Sequence, residues 1–197
     1  MKRPKGTGGE TPHGPVSNEL IERCKRGDQA AWNELVAATH REVYTLCLRI
    51  LGNPDDAAEA TQDAYLKVWR GLSGFRGEAQ FSTWLYRVAS NTAISKHRGR
   101  SRRRSRETEA VETRLEQVPG PVSVEDAAGA RLEVAALEAA LARLPEIYRD
   151  AVVLRDVYGY SIEEVASQLK ISETATKVRV HRGRKRLKEI VYAGEDR

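Results

Sequence analysis

The feature that most constrains this chain is the stretch Ser161 to Ile190, SIEEVASQLKISETATKVRVHRGRKRLKEI. Ile162, Val165, Ala166 and Leu169 recur at helical spacing and give the first half one apolar face. Ser161 can cap the start of that helix, and Glu164 three residues on completes a capping box. Ile171-Ser172 forms a turn, after which Ser172 caps a second helix with Glu173 at its positive end. Seven basic residues follow between Lys177 and Lys188, with Val178, His181, Leu187 and Ile190 interspersed. A charged run alone fits a solvated helix in a bundle. A capped helix, a tight turn and a capped basic helix together fit a helix-turn-helix, whose second helix enters the DNA major groove.

Charge along the chain extends this reading. The net charge is +5 and the pI near 9.3, but the distribution says more. Lys96 to Arg106 holds seven basic residues and no acid, and Lys177 to Lys188 holds a second seven. Two separated positive blocks point to two nucleic-acid contacts. Asp55 to Asp63 holds four acids and no base, and Glu107 to Asp126 is mainly acidic; these patches fit a protein partner. Cys24 and Cys47 have neither zinc nor disulfide-framework spacing and read as buried free thiols. No apolar run reaches the length of a membrane span, so no direct membrane insertion is expected. Residues 1–16, rich in Gly, Pro, Lys and Thr, lack the apolar core of a signal peptide and read as a disordered tail. The expected location is cytoplasmic.

The remaining pattern is helical throughout. Leu20, Ile21 and Cys24 mark a short helix that ends at Gly27-Asp28. A second helix runs from about 29 to 51, and Gly52-Asn53-Pro54 breaks it. A third opens at Asp55 and continues to about Gly71, with Ala57, Ala64, Val68 and Leu72 inward and Glu59, Gln62, Asp63 and Leu66 on another side. A loop over 73–80 precedes a fourth helix that starts near Phe81 and runs into the first basic block, with Trp84, Leu85 and Val88 on its buried face. Residues 106–130 contain Pro119, Gly120, Pro121 and Gly129 and read as an acidic linker. Helical patterning resumes at Arg131, and a further helix covers roughly 146–157 before the helix-turn-helix. The expected fold is all-α: two small helical domains, 17–105 and 131–197, joined by a flexible linker.

The fourth helix carries a second constellation. Phe75, Phe81, Trp84 and Tyr86 lie within twelve residues, and Arg87, Asn91, Ile94 and Arg98 step by four, three and four along one face. Aromatic and amide groups can hold a base that has left the stack while cations follow the phosphates, which suits single-stranded DNA. Trp84 reads more naturally as core.

Three stretches, DDAAEATQDAYLKVWRGLSGFRG, FSTWLYRVASNTAISKHR and LPEIYRDAVVLRDVYGYSIEEVASQLKISETATKVRVHRGRKRL, carry a resemblance. In order and spacing the chain resembles a bacterial RNA polymerase sigma factor of the extracytoplasmic-function (ECF) group, in the sigma-70 family. The resemblance implies that Asp55, Asp56, Glu59, Gln62, Asp63 and Leu66 meet the clamp helices of the largest polymerase subunit. It implies that Phe75, Phe81, Arg87, Ser90 and Asn91 capture a flipped base of the −10 element, while Lys96, Arg98, Arg100, Arg102 and Arg103 hold phosphates. It also implies that Lys177, Val178, His181 and Arg182 face the bases of the −35 duplex, with Thr174 and Thr176 alongside and Arg179 and Arg184 either on phosphate or packed locally. The linker residues Glu107, Glu109, Glu112 and Glu116 would lie towards the polymerase cleft. Expected partners are core RNA polymerase, through its clamp helices and flap region, promoter DNA and an anti-sigma factor. No cofactor, metal or catalytic residue is implied.

Two departures from the family pattern stand out. Lys170 occupies a turn position that is often Gly, and needs either a left-handed backbone or a different turn. Glu173-Thr174-Ala175-Thr176 replaces the commoner Gly-Thr-Val. Two other functions compete. A one-component helix-turn-helix regulator would need a ligand or dimerisation domain, which residues 17–105 do not suggest. A resolvase or nuclease would need acid-base or metal geometry, whereas His13, His40, His97 and His181 are scattered.

Overall fold

A computed structural model describes residues 16–107 and 128–195. The expected tail and most of the acidic linker, with Glu109, Glu112 and Glu116, lie outside the described residues, as do the side chains of Arg100, Arg102, Arg103 and Glu107. Among the described residues the fold is all-α, with eight α-helices in two regions.

The first region is built by local signals the chain declares openly. Helix α1 spans Asn18–Lys25, and the Ser17 hydroxyl accepts from the Leu20 amide at 3.1 Å. Helix α2 spans Gln29–Leu51, capped by Asp28. It ends at Gly52, whose φ of 65° is the left-handed conformation that glycine adopts without a Cβ penalty. Helix α3, Pro54–Gly71, opens with Asn53 as cap and a proline at its first turn. A 3-10 turn over Leu72–Gly74 and a loop lead to α4, Phe81–Glu107. Helices α2, α3 and α4 pack on one another around Leu35, Leu46, Ile50, Val68 and Leu85, all fully buried. Ala57, Ala60 and Ala64 face this core from α3, and small side chains there let the helix axes approach closely. Cys24 and Cys47 are buried and free, and burial pushes the Cys47 thiol up to about 11.

The second region comprises α5 (Ala128–Ala142), α6 (Glu146–Val152), α7 (Ile162–Leu169) and α8 (Glu173–Glu195). The periodicity suggested one helix over 146–157. The α-geometry instead stops at Val152 and widens into a π turn over Val153–Val157, closed by the Tyr158 amide donating to the Val153 carbonyl at 3.2 Å. Helix α8 presses on α6 at Gly183, where a Cβ would stand 2.5 Å from Val152 Cγ2. Only a hydrogen there permits the close crossing.

The two regions touch, which the sequence does not announce. Arg149 of α6 is buried, and its guanidinium reaches the C-terminal end of α2, donating to the carbonyls of Ile50 (3.1 Å) and Leu51 (3.4 Å) and also to that of Ala142 (3.0 Å). Carbonyls at a helix end lack intrahelical donors, so a buried guanidinium is a fitting cap. It lies so close to Gly52 that a Cβ there would come 2.4 Å from Nη1. Beside it, Arg49 of α2 donates to Glu138 (2.8 Å) and lies over the Tyr158 ring.

Candidate nucleic-acid interface

Local capping builds the helix-turn-helix as expected. The Glu164 amide donates to Ser161 Oγ at 3.1 Å, and the Ser161 amide donates to Glu164 Oε2 at 2.9 Å. Lys170 takes the left-handed conformation, with φ 49° and ψ 47°. Its amide closes the end of α7 on the Ala166 and Ser167 carbonyls. The Ser172 hydroxyl then accepts from the Ala175 amide at 3.1 Å and opens α8.

Helix α8 divides into two faces. Thr176, Val180 and Gly183 are buried, and Leu187 packs at the edge of the core. Opposite them, Lys177, Val178, His181 and Arg182 are exposed together, as a base-reading row requires. Thr174 is exposed and Arg179 half-buried. One expected contact needs correction. Thr176 is fully buried and donates to the Ser172 carbonyl at 3.1 Å, so it supports the turn and does not face a groove. Arg184 takes the local packing that was one of its two expected roles: it is exposed and grips Asp156 of the π turn with two nitrogens, at 2.8 and 2.5 Å, tying α8 to that turn.

Helix α4 presents its expected row in different circumstances. Arg87 pairs with Glu164 of α7 at 2.6 Å. Ser90 is fully buried and donates to Gln168 Oε1 at 3.2 Å. Arg98 donates to the Gln168 carbonyl at 3.2 Å, whereas Asn91 is exposed. Arg87, Asn91 and Arg98 line a cleft of about 560 Å³ between α4 and α7, with Glu164 and Gln168 on its other wall. Phe81 requires correction: it is only 5 % exposed and belongs to the bundle core, in edge contact with Phe75 at 5.5 Å. Phe75 is half-buried, with the Lys25 ammonium over its ring. Lys96 is ion-paired with Glu59 of α3.

On α3, Asp55, Glu59, Gln62, Asp63 and Leu66 are exposed, and Asp56 is half-buried. Trp69 continues this surface, 42 % exposed and edge-on to Trp32 at 4.8 Å; its helical offset of three from Leu66 could have revealed it. His97 of α4 had been one of four scattered histidines. It is buried between two acids of α6, with Nδ1 3.3 Å from Asp150 and Nε2 2.9 Å from Glu146, the latter an ion pair off the hydrogen-bond axis. Burial opposes its charge, but Asp150 and Glu146 outweigh burial and push the imidazole up to about 9. No group of His, Cys, Asp and Glu among the described residues could hold a metal ion.

Comparison with known proteins decides between the functional readings. The family models for Sigma-70 region 2 and Sigma-70 region 4 match residues 35–103 and 135–187. The ECF RNA polymerase sigma factor SigW of Bacillus subtilis is 30% identical over 174 residues, 86% of this chain and 93% of the relative. This chain belongs to the ECF sigma factors. The ECF sigma-E factor of Escherichia coli is 32% identical to this sigma factor over 84% of its length and 88% of the relative. Among solved structures, CnrH in complex with the cytosolic domain of CnrY has a TM-score of 0.53 at 25% identity, covering 89% of this sigma factor and 96% of that chain. RpoE in complex with the anti-sigma factor NepR from Bartonella quintana shares the fold, with a TM-score of 0.58 at 22% identity over 81% of this chain and 96% of that one. Membership disfavours the one-component regulator, because a sigma factor acts with RNA polymerase.

Proposed function

We propose that this sigma factor directs core RNA polymerase to promoters by reading a −35 duplex with α8 and a melted −10 strand with α4. The observation that carries the reading is the pair of distinct DNA-facing surfaces. The α8 row is exposed and basic along one helix face, the arrangement that a major-groove reader needs. The α4 row combines Arg87, Asn91 and Arg98 along one face, and the half-buried Phe75 packs on Phe81 and Trp84 at the start of the same helix; cations, an amide and an aromatic ring suit an unstacked base and its flanking phosphates. In this reading residues 17–105 form the core-binding and −10 domain, 131–197 the −35 domain, and 106–130 the connection between them.

The exposed α3 surface, Asp55, Glu59, Gln62, Asp63 and Leu66, is the proposed seat for the polymerase clamp helices, and Trp69 extends it. Acidic groups around an exposed leucine and tryptophan match a partner with basic rims and apolar pockets. Partners of the flap and anti-sigma kind are proposed by likeness to the family; the fold is shared with RpoE, solved with the anti-sigma factor NepR. The factor supplies no bond-making step; polymerase makes the RNA. It works in the cytoplasm, and among the described residues no helix is long and apolar enough to cross a membrane.

The test is in vitro transcription with core polymerase and a promoter library. Promoter-specific transcripts should depend on the added chain, and their absence sinks the reading. Asn91→Ala should slow open-complex formation on duplex templates, and a premelted −10 bubble should restore much of the rate. An equal defect on both templates would contradict the assignment of α4 to the melted strand.

A further inference from the structure

We infer that the free sigma factor is closed on itself, with α7 of the −35 region acting as a cover over the −10 face of α4. The inference rests on the proposed role of α4 and goes beyond it, because it assigns a second, internal ligand to the same residues. Glu164 and Gln168 lie one helical turn apart on α7 and point to one side. Glu164 uses its two carboxylate oxygens differently: Oε2 completes the capping box on Ser161, and Oε1 takes the Arg87 guanidinium. Gln168 accepts from Ser90 through its side chain and from Arg98 through its backbone carbonyl. A carboxylate on Arg87 and a carbonyl on Arg98 are acceptors of the kind that phosphate oxygens would supply. The cover therefore engages two cations of the −10 face, Arg87 and Arg98, and holds the hydroxyl of the buried Ser90.

The contact is broad enough to be a defined state. Arg149 caps the end of α2, Arg49 holds Glu138, Tyr86 meets Tyr158 at 6.0 Å between ring centroids, and His97 lies between Asp150 and Glu146. The exposed row of α8 takes no part in it. Closure thus removes one DNA grip and leaves the other free. A partner that holds the two regions apart uncovers α4, whereas one that clamps them together keeps it covered. Binding of a −10 strand to the free chain is weakened by the fraction that is open.

The test uses the full chain and separates closure from function. In Ser90→Cys, the thiol reports on the cover directly. It should react slowly with a maleimide, since the native Cys24 and Cys47 are buried and give a low background. Adding Glu164→Gln and Gln168→Ala should accelerate that reaction about tenfold, because an ion pair and a hydrogen bond are lost while Gln still serves a capping box. The same α7 changes in the chain that retains Ser90 should strengthen binding to a fluorescent random-sequence single-stranded 12-mer by a similar factor. Reaction of Ser90→Cys at the rate of an open thiol in the otherwise unchanged chain overturns closure. Faster reaction with no gain in strand binding overturns masking of a DNA site; if Asn91→Ala then also transcribes normally, the fault lies in the −10 assignment. Slow reaction, release by the α7 changes and tighter strand binding together support the cover.

Discussion

The two proposed DNA faces of this molecule are built from the same materials and stand in opposite conditions. On α8, Lys177, Val178, His181 and Arg182 project freely, and the helix is fixed by its buried side against α6 and α7. On α4, Arg87, Ser90 and Arg98 are engaged by α7; Ser90 is buried and Arg98 half-buried, while Arg87 is ion-paired yet exposed and Asn91 is exposed. Both faces are preformed, but only one is available. The difference teaches that a reading face on rigid helix can be switched off without unfolding, by giving its cations an internal partner. It also suits the two tasks. Duplex is present before initiation, whereas a melted strand exists only after polymerase has engaged the promoter.

The strongest way to break this contrast is at Arg149. Arg149 is 4 % exposed and its guanidinium bonds the α2 terminus, so Arg149→Ala leaves buried carbonyls without donors and should cost about 3 kcal/mol while the regions stay docked. For a chain of this size that is a fall in Tm of about 6–12 °C, measurable by calorimetry. A change below about 1 °C would mean that water replaces the guanidinium because the regions part easily, and the contrast between the two faces would vanish.

Arg182→Ala probes the open face. Loss of a guanidinium from a guanine edge or a phosphate should weaken duplex −35 binding by about 1–3 kcal/mol, which titration of the holoenzyme on duplex promoter fragments can read. Because α8 takes no part in closure, the maleimide rate at Ser90→Cys should not change in this background. A change in that rate would show that the open face helps to hold the covered one.

Much of this arrangement was legible in the sequence, and the limits have a physical pattern. Caps, breaks and helical faces are signals spanning three to five residues. Ser17, Asp28, Asn53, Ser161 and Ser172 all cap helices; Ser161 and Ser172 read as caps from the sequence, while Asp28 and Asn53 stood only within a helix end and a helix break. The row Arg87, Asn91, Ile94, Arg98 does share one face, which lines the cleft. The family resemblance set Thr176 alongside the base-facing row; its offset of four from the buried Val180 places it on the inner side. The contacts of the cover join residues 77 and 78 apart, and those of Arg49 join residues 89 and 109 apart. No local periodicity encodes such pairs. Glu164 shows the difficulty best: its spacing from Ser161 explained it fully as a cap, so nothing in the sequence asked for a second partner. The π turn also left no mark, since Val153, Leu154 and Val157 fit an ordinary helix.

The buried histidine offers a graded way to shift the balance between the faces. With the regions docked, burial works against the charge of His97, yet Asp150 and Glu146 raise its value to about 9. In an open chain it returns towards the ordinary value of about 6.5. A raised value means that the protonated form favours docking. The contribution is fully present below about pH 6.5 and is lost as pH rises through about 9. Both acids come from α6; on α4 itself, Lys96 is held by Glu59 and Arg98 by the Gln168 carbonyl. The radius of gyration from small-angle X-ray scattering should therefore increase between pH 6.5 and 9, and His97→Gln should flatten that response. An unchanged pH profile in His97→Gln would move the sensitivity elsewhere in the interface.

The smallest expected effect lies in the turn between α7 and α8. Lys170 is the only non-glycine residue with positive φ among the described residues, at 49°. The left-handed conformation costs a residue with a Cβ about 1–2 kcal/mol, and glycine gives back about 0.5–1 kcal/mol through its larger entropy loss on folding. Lys170→Gly should therefore stabilise the fold by about 0.5 kcal/mol, or roughly 1–2 °C in Tm. Lys170 also lines the cleft beside Arg98, so removal of its amine could act through charge and not through the backbone. Lys170→Ala separates the two causes, because it removes the amine and keeps the Cβ. If the strain is in the backbone, only the glycine variant gains stability. If both gain equally, repulsion across the cleft is the cause, and Lys170 is then a weak force holding the cover off the −10 face.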